Sequence, residues 1–148
     1  MDQQLSPHFS LAELTASQTA ARLGIDNTPT PDVLAELGRL AAVLEQVRAG
    51  LGAPLLISSG YRSPALNAAV PGSAKNSAHL YGRAADFTCP AVGSPRIVCM
   101  KINGMPGLDF DQLIFEFGAW VHFAIAAPGE TPRRQVLTID GAGTRAGL

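Results

Sequence analysis

Hydrophobic positions follow a helical period most clearly between residues 31 and 49. Apolar side chains recur there at intervals of three and four, as on one face of an α-helix; these are Val33, Leu34, Leu37, Leu40, Ala41, Leu44 and Val47. Thr30 followed by Pro31 is typical of an N-cap and a first helical residue. Gly50 and Gly52 predict the end of the helix. The pattern therefore predicts a scaffold helix that packs on a sheet.

Capping signals predict three shorter helices. The sequence "SLAE" at residues 10–13 fits a capping box, which would open a short helix that ends before Gly24. Ser63–Pro64 and Ser94–Pro95 each place a hydroxyl cap before a proline at the first helical position. We therefore expect a short helix in "SPALNAAV" and another helix that continues through Lys101.

Runs of apolar and β-branched residues predict the strands. "PLLISSGYR" has the character of a buried strand that stops at Gly60, and "AADFTC" is a strand that carries Asp86. "DQLIFEF" and "WVHFAIA" are two strands joined by a short turn around Gly118–Ala119. "RQVLTI" is the last predicted strand, and the tail from residue 140 to residue 148 is expected to fray. The Gly-, Ser- and Asn-rich "PGSAKNSAHLYGR" predicts a long loop, which inside a compact domain is usually functional.

Together these elements predict one domain that spans residues 1–148. Its class is α+β, with N-terminal helices packed on a mostly antiparallel sheet. A chain of 148 residues has the size of one domain. It buries roughly 68–70% of its unfolded surface, so neither a metal nor a disulfide is needed merely to hold it together.

Composition and charge exclude several classes of protein. Apolar residues make up 47% and charged residues 16% of the chain, as in globular proteins. A formal net charge of −1 without a basic block argues against nucleic acid as the main partner. No apolar run approaches the roughly 18–20 residues of a membrane span. "MDQQLSPHFS" lacks the features of a secretory signal, so we expect synthesis in a cytoplasm.

Cys89 and Cys99 are the only cysteines in the sequence. Their spacing matches neither a zinc ribbon nor a CxxC motif. We expect two free, partly buried thiols. A disulfide that closes a short loop is the alternative.

His79, Asp86 and His122 are the candidate metal ligands. Two imidazoles and one carboxylate form a zinc ligand set that leaves a fourth position open for water. The spacing of His79 and Asp86 is weak evidence by itself, because such pairs are usually incidental. On a strand, however, Asp86 would be partly buried, and a buried carboxylate needs a cation or several donors. His122 could instead be a core histidine that is hydrogen-bonded to a backbone carbonyl.

Three segments resemble the zinc D-alanyl-D-alanine carboxypeptidase family of murein peptidases. They are "SSGYRSPALN", "SAHLYGRAADF" and "FEFGAWVHFAI", in that order, over about residues 55–126. The family includes phage endolysins and shares its fold with the hedgehog signalling domain, and "SPHFSLAEL" resembles the opening of one phage-associated branch. The resemblance implies a hedgehog/DD-peptidase-like fold with Zn²⁺ on His79, Asp86 and His122. It also implies that Arg62 and Ser77 contact the substrate.

The general base is the open position in this resemblance. Several relatives carry an acid three residues before the last histidine, where this chain has Ala119, so Glu116 is the nearest acid. A three-residue turn, Gly118 to Trp120, would pair Glu116 with His122 and point it towards the metal. A two-residue turn would pair Glu116 with Val121 and turn it away. We expect the first arrangement, because the strand otherwise buries an unpaired carboxylate.

The resemblance implies a zinc peptidase that hydrolyses a D-amino-acid-containing bond of peptidoglycan by metal-activated water. Glu116 would be the base, and Arg62 would bind a peptide carboxylate or a developing oxyanion. The expected partner is a peptidoglycan stem peptide or a D-Ala-D-Ala-type peptide, bound by a monomer. The expected setting is a phage-type lysis protein that is released to act on the periplasmic cell wall. The alternative is an inactive, metal-containing wall-binding or phage structural module of the same fold.

Overall fold

The fold combines one long helix and several short helices with two sheets. The structure is a computed structural model and describes residues 2–148. Its helices are α1 (Leu11–Thr15), α2 (Gln18–Leu23), α3 (Pro31–Leu51), α4 (Pro64–Ala69) and α5 (Pro95–Asn103), with a 3₁₀-helix at Ala78–Tyr81. Its strands are β1 (Gln4–Ser6), β2 (Phe9–Ser10), β3 (Leu56–Ser59), β4 (Ala84–Thr88), β5 (Gln112–Glu116), β6 (Trp120–Ala124), β7 (Gln135–Asp140) and β8 (Gly143–Ala146).

The main sheet has six strands in the order β3-β4-β6-β5-β7-β8. Every neighbouring pair is antiparallel except β5 and β7, which run parallel. A small hairpin of β1 and β2 stands apart from this sheet. The predicted α+β class with a mostly antiparallel sheet is confirmed.

The two faces of the main sheet have different roles. Side chains alternate between the faces of a strand, and one set forms the core together with α3 and α5. This core includes Phe87 of β4, Phe123 of β6 and Leu113 of β5, packed with Leu40 and Ile102 of the helices. The alternate set on β4, β5 and β6 therefore lies on the opposite face, which carries the candidate site.

The long helix begins as the sequence predicts. Thr30 accepts a hydrogen bond from the backbone N–H of Val33, and Pro31 is the first helical residue. The helix continues through Gly50 and ends at Gly52, which adopts a left-handed conformation with φ of 72°. A Cβ at Gly50 would lie 2.6 Å from the Met105 side chain, so this glycine allows the close packing of Met105 on α3.

The N-terminal helix departs from the prediction, because it is two helices. Ser10 caps α1 as expected, but Ala16 is extended and the Ser17 side chain caps α2 by accepting from the N–H of Ala20. The second helix ends at Gly24, as predicted. A hydroxyl at Ser17 offers the backbone a new N-cap within the predicted helix, and this competing bond ends α1 early.

Two predictions about the sheet edges are wrong. Strand β3 is not buried, because it is an edge strand and Leu56 is 54% exposed. The tail from residue 140 does not fray, since β8 pairs with β7. An ion pair of 2.7 Å between Arg145 and Asp140 and a 2.7 Å hydrogen bond from the Thr138 hydroxyl to the Gly147 carbonyl hold this hairpin closed.

The predictions for the capped helices α4 and α5 and for the cysteines are confirmed, whereas the predicted loop of residues 71–83 contains the 3₁₀-helix. Ser63 and Ser94 cap α4 and α5, and α5 extends two residues beyond Lys101. Cys89 and Cys99 are free and buried. Burial raises the pKa of the Cys99 thiol to about 12, so it is a packing residue. None of the helices in residues 2–148 is long and apolar enough to cross a membrane.

A buried carboxylate joins α3 to the sheet. Glu36 lies 2.6 Å from Nη1 of Arg39 and 2.8 Å from Nε of Arg83, the residue before β4. Burial alone would raise the pKa of Glu36, but the hydrogen bonds from Arg39 and Arg83 outweigh it and lower the pKa. Arg39 also donates to the carbonyl of Ala126, after β6. The cluster therefore fixes α3 against the ends of β4 and β6.

We expect Glu36→Gln to destabilise the fold by about 1–3 kcal/mol at pH 7, because charged hydrogen bonds are lost. A lowered folded-state pKa means that this stabilisation is complete above the ordinary value of 4.5 and is lost as the pH falls below it. Urea unfolding across this range measures the difference. The difference in free energy of unfolding between wild type and Glu36→Gln should become smaller in acid. A difference that grows would contradict the stabilising role of the Glu36 carboxylate. Glu130→Gln, on an exposed loop, is the matched control.

We expect Gly60→Ala to destabilise the fold by about 1–3 kcal/mol through overpacking. A Cβ at Gly60 would lie 2.2 Å from the backbone oxygen of Leu14. Gly38→Ala in α3 is the control, since nothing lies within 4 Å of its Cβ and it should gain about 0.5–1 kcal/mol. Thermal unfolding distinguishes the two, and equal stability of both variants would contradict the close approach.

Candidate metal centre

His79, Asp86 and His122 converge on the open face of the main sheet. Asp86 in β4 pairs directly with His122 in β6, so their side chains share a face. His79 reaches them from the 3₁₀-helix that precedes β4. One ligand-type atom from each residue lies within 4.8 Å of the others. All three are buried, with exposures of 2%, 5% and 7% respectively.

The ligand-type atoms point at one another. Nδ1 of His122 lies 2.9 Å from Oδ1 of Asp86, and Nε2 of His79 lies 3.3 Å from the same oxygen. The two imidazole rings are 5.1 Å apart at an angle of 62°. The arrangement therefore presents two ring nitrogens and a carboxylate oxygen to a common point.

The backbone of Gly60 sets the orientation of His79. Nδ1 of His79 lies 2.7 Å from the Gly60 carbonyl oxygen. That oxygen can only accept, so Nδ1 carries the proton and Nε2 keeps its lone pair for a metal. The next residue, Tyr61, donates its N–H to the carbonyl of Leu14 at 2.8 Å. The N-terminal helix α1 thus holds in place the segment that orients the imidazole.

The 3₁₀-helix that carries His79 is fixed at both ends. The Ser77 hydroxyl caps it by accepting from the backbone N–H of His79 at 3.2 Å. Gly82 ends it in a left-handed conformation with φ of 72°. A Cβ at Gly82 would lie 3.0 Å from side-chain atoms of Leu37 and Val33 on α3. Close packing on α3 therefore places the ligand-bearing helix.

The charge state of these residues suits a divalent cation. Burial lowers the pKa of His79 against the opposing effect of Asp86, which favours a neutral imidazole. Burial would raise the pKa of Asp86, but His79 and His122 outweigh it and keep the carboxyl ionised. Metal ligands must be neutral imidazoles and ionised carboxylates. The three residues therefore fit a metal.

Glu116 faces this centre, although the predicted register is wrong. Glu116 pairs with Trp120, and Ile114 pairs with His122, so neither predicted turn is present. The hairpin closes one residue earlier than expected because Phe117 and Gly118 adopt positive φ values of 51° and 66°. Moving two residues along a strand keeps the same face, so Glu116 still lies on the face of His122.

The carboxylate of Glu116 has the position and environment of a proton acceptor. Its Oε1 lies 3.9 Å from Nδ1 of His122. Burial raises the pKa of Glu116 and Asp86 adds to this, while His122 and Arg62 act against it. A carboxylate with a raised pKa beside candidate metal ligands is suited to general base catalysis.

Arg62 lies next to the second oxygen of Asp86. Its Nη2 is 3.6 Å from Oδ2 of Asp86, and its side chain is 14% exposed. Nε is 3.4 Å from the Ser59 hydroxyl, and Nη1 is 3.4 Å from Oδ1 of Asn67. Arg62 is therefore held in the wall of the site. Its contact with Asp86 is not an exposed surface ion pair.

All of the candidate residues line one cleft of about 630 Å³. They are Arg62, Ser77, His79, Asp86, Glu116 and His122. Tyr81 and Trp120 also line it, whereas Tyr61 belongs to the core. Within residues 2–148, Nε1 of Trp120 is the buried side-chain polar atom that has no hydrogen-bond partner.

The sequence interpretation missed the C-terminal part of the cleft. Arg133, Leu137 and Ile139 line it as well. These residues carry no motif, and only the pairing of β7 beside β5 brings them to the site. Alternation in "RQVLTI" indicates a strand but not which strand it pairs with, so local pattern carries no signal for them.

We expect the purified protein to bind one divalent cation, and Asp86→Ala and His79→Ala to weaken its binding. The loss should exceed the roughly 10–100-fold that changes in outer-shell residues cause, because a ligand itself is removed. Metal content after dialysis against zinc measures this. His8→Ala is the control, since His8 pairs with Glu45 at 2.7 Å and not with the centre. Retention of full metal content by Asp86→Ala would contradict the assignment.

Comparison with known families adds an independent observation. The sequence matches the Peptidase M15 family over residues 7–124, which is well over half of the chain. The matched segment contains His79, Asp86, Glu116 and His122. A search of curated proteins gives no match. The chain therefore belongs to the Peptidase M15 family of metallopeptidases.

Proposed function

We propose that the protein is a zinc peptidase that hydrolyses a D-amino-acid-containing peptide bond of peptidoglycan. The observation that carries this proposal is the convergence of two imidazoles and two carboxylates in one cleft. His79, Asp86 and His122 would hold Zn²⁺, and Glu116 lies 3.9 Å from His122 on the open side. Membership of the Peptidase M15 family supports the same reading.

The ligand set is that of a catalytic zinc site. Three protein ligands leave a fourth position for water, whereas structural zinc sites are closed by four protein ligands. When bound, Zn²⁺ would lower the pKa of that water towards about 7 and polarise the scissile carbonyl. Proton transfer and binding of the peptide would be carried out by side chains of the protein.

Glu116 would move the proton. As a carboxylate it accepts a proton from the attacking water, and it then delivers that proton to the amine that leaves. Its raised pKa brings its proton affinity closer to what both transfers require. The turn residues Phe117 and Gly118 fix the end of the strand, which holds Glu116 in position.

Arg62 and Ser77 would bind the peptide. Arg62 is always charged, and its planar guanidinium suits a peptide carboxylate or the oxygen that gains charge in the reaction. The hydroxyl of Ser77 is already a helix cap, but its two lone pairs and its proton leave it able to contact substrate as well. Both residues lie in the same cleft as the candidate metal ligands.

Two activities fit this machinery, a D-Ala-D-Ala carboxypeptidase and a murein endopeptidase. The resemblance of its motifs to phage endolysins supports an endolysin-like monomer that reaches the periplasmic wall through a phage-made lesion. The inactive binding module is the weaker alternative, because it gives no reason for Glu116 to face the candidate ligands. The products of digesting a defined muropeptide, identified by mass spectrometry, name the bond that is cut.

We expect Glu116→Gln to lower kcat by about 10²–10⁴, the usual contribution of a general base. Metal content and thermal stability should stay close to those of the wild type, because Gln is nearly isosteric and no ligand is removed. Release of free amine from a D-Ala-D-Ala-terminated muropeptide measures the rate. Asp109→Asn is the control, because it makes the same carboxylate-to-amide change at an exposed residue that does not line the cleft.

Two results would count against the proposal. Full activity in metal-loaded Glu116→Gln would remove Glu116 from the mechanism. Hydrolysis by the wild type that survives complete chelation of metal would exclude the zinc mechanism altogether.

A further inference from the structure

We propose that β5 and β7 form an apolar subsite beside the metal centre, which receives an aliphatic side chain of the bound substrate. We call it the apolar shelf and define it as Ile114, Leu137 and Ile139. The identity of its occupant as part of a peptide rests on the proposed function. The shelf itself rests on the register and burial of these three residues.

The strand register places the shelf in line with the candidate ligands. Asp86 pairs with His122, His122 pairs with Ile114, and Ile114 pairs with Leu137. Partners on adjacent strands point to the same face and are separated by one strand spacing of about 4.7–4.9 Å. These four paired residues therefore form one row across the sheet, in which Ile114 and Leu137 follow directly after the candidate ligands Asp86 and His122. Ile139 pairs with Glu116 and extends the shelf beside the candidate base.

The shelf lines the cleft on the side of the sheet opposite α3 and α5, and its Ile114 is only 4% exposed. Leu137 and Ile139 are half-buried, and they line the same cleft as the candidate ligands. Their neighbours in β7 behave differently, because Val136 packs against the core and Thr138 is buried. Half-buried aliphatic side chains in a cleft beside a few polar groups are typical of a ligand site.

Apart from Glu116, which pairs with Ile139, the polar groups beside the shelf bond to one another. Gln112 and Gln135 are bonded to each other at 2.8 Å, and Arg133 is bonded to both oxygens of Asp111 at 3.0 and 2.7 Å. These side chains meet their requirements within the protein. No charged side chain lies on the shelf itself, so the favourable contact there is burial of apolar surface.

The C-terminal hairpin holds the shelf rigidly. Phe117 donates its N–H to the carbonyl of Ile139 at 2.7 Å, and Gly147 donates to the carbonyl of Val136 at 2.8 Å. Leu137 and Ile139 lie outside the segment 7–124 that matches the Peptidase M15 family. The shelf is therefore built partly by residues of this chain that the family match does not cover, and it is suited to set substrate preference.

A series of straight-chain alkyl hydroxamates tests the shelf without requiring hydrolysis. The hydroxamate group binds a metal, and the alkyl chain lengthens from acetyl to octanoyl. Trp120, the only tryptophan, lines the cleft, so its fluorescence reports binding to zinc-loaded protein. We expect Kd to fall by up to about four-fold for each methylene buried, until the shelf is covered.

Substitutions on the shelf should remove this gradient. In Leu137→Ser and Ile139→Ser the gain in affinity with chain length, measured relative to acetohydroxamate binding by the same variant, should be reduced, and in the double variant it should be lost. Leu137→Met should keep the gradient, because Met preserves apolar volume. Leu56→Ser, a matched change on the exposed edge strand β3, should keep it as well. Thermal unfolding confirms that each variant is folded.

A wild-type Kd that is independent of chain length would overturn the shelf, as would a full gradient in the double variant. These outcomes are separate from those that test the proposed function. A chain-length gradient without any muropeptide hydrolysis would leave the shelf in place and contradict the peptidase. Muropeptide hydrolysis without a chain-length gradient would support the peptidase and contradict the shelf.

Discussion

A buried, ionised carboxylate between two imidazoles is the contact on which the site depends. Asp86 lies within 3.3 Å of a ring nitrogen from each of His79 and His122. Burying a carboxylate is costly unless charge or several hydrogen bonds compensate for the lost water. A divalent cation bound to Oδ1 would place two positive charges directly beside this carboxylate. The surrounding fold can be understood as the means of holding these three side chains together.

The fold does this by joining distant segments through the backbone. The Gly60 carbonyl orients His79, and Gly60 is itself held against Leu14 of α1. Glu36 links α3 to the residue before β4, and β4 carries Asp86. The candidate ligands are therefore positioned by residues that are not ligands themselves, of which Gly60 contacts His79 directly.

The sequence was sufficient where the determinant is local or chemical. Caps such as Thr30 and Ser94 could be predicted because a hydroxyl acts within three residues of itself. The ligand set could be predicted because few residue types bind zinc. The sequence was insufficient where the structure depends on which strands pair and in which register. The register of the β5–β6 hairpin depends on the positive φ of Phe117. A phenylalanine in the sequence does not predict a positive φ. Leu137 and Ile139 line the cleft only because β7 pairs with β5.

The most direct measurement is an anomalous-difference map, collected at the zinc absorption edge, from a crystal of the zinc-loaded protein. We predict one strong peak bonded to Nε2 of His79, a carboxylate oxygen of Asp86 and Nδ1 of His122, within the cleft that Glu116 faces. A peak at another place would contradict the proposed metal site. The absence of any peak, with the three side chains in contact only with one another, would contradict it as well.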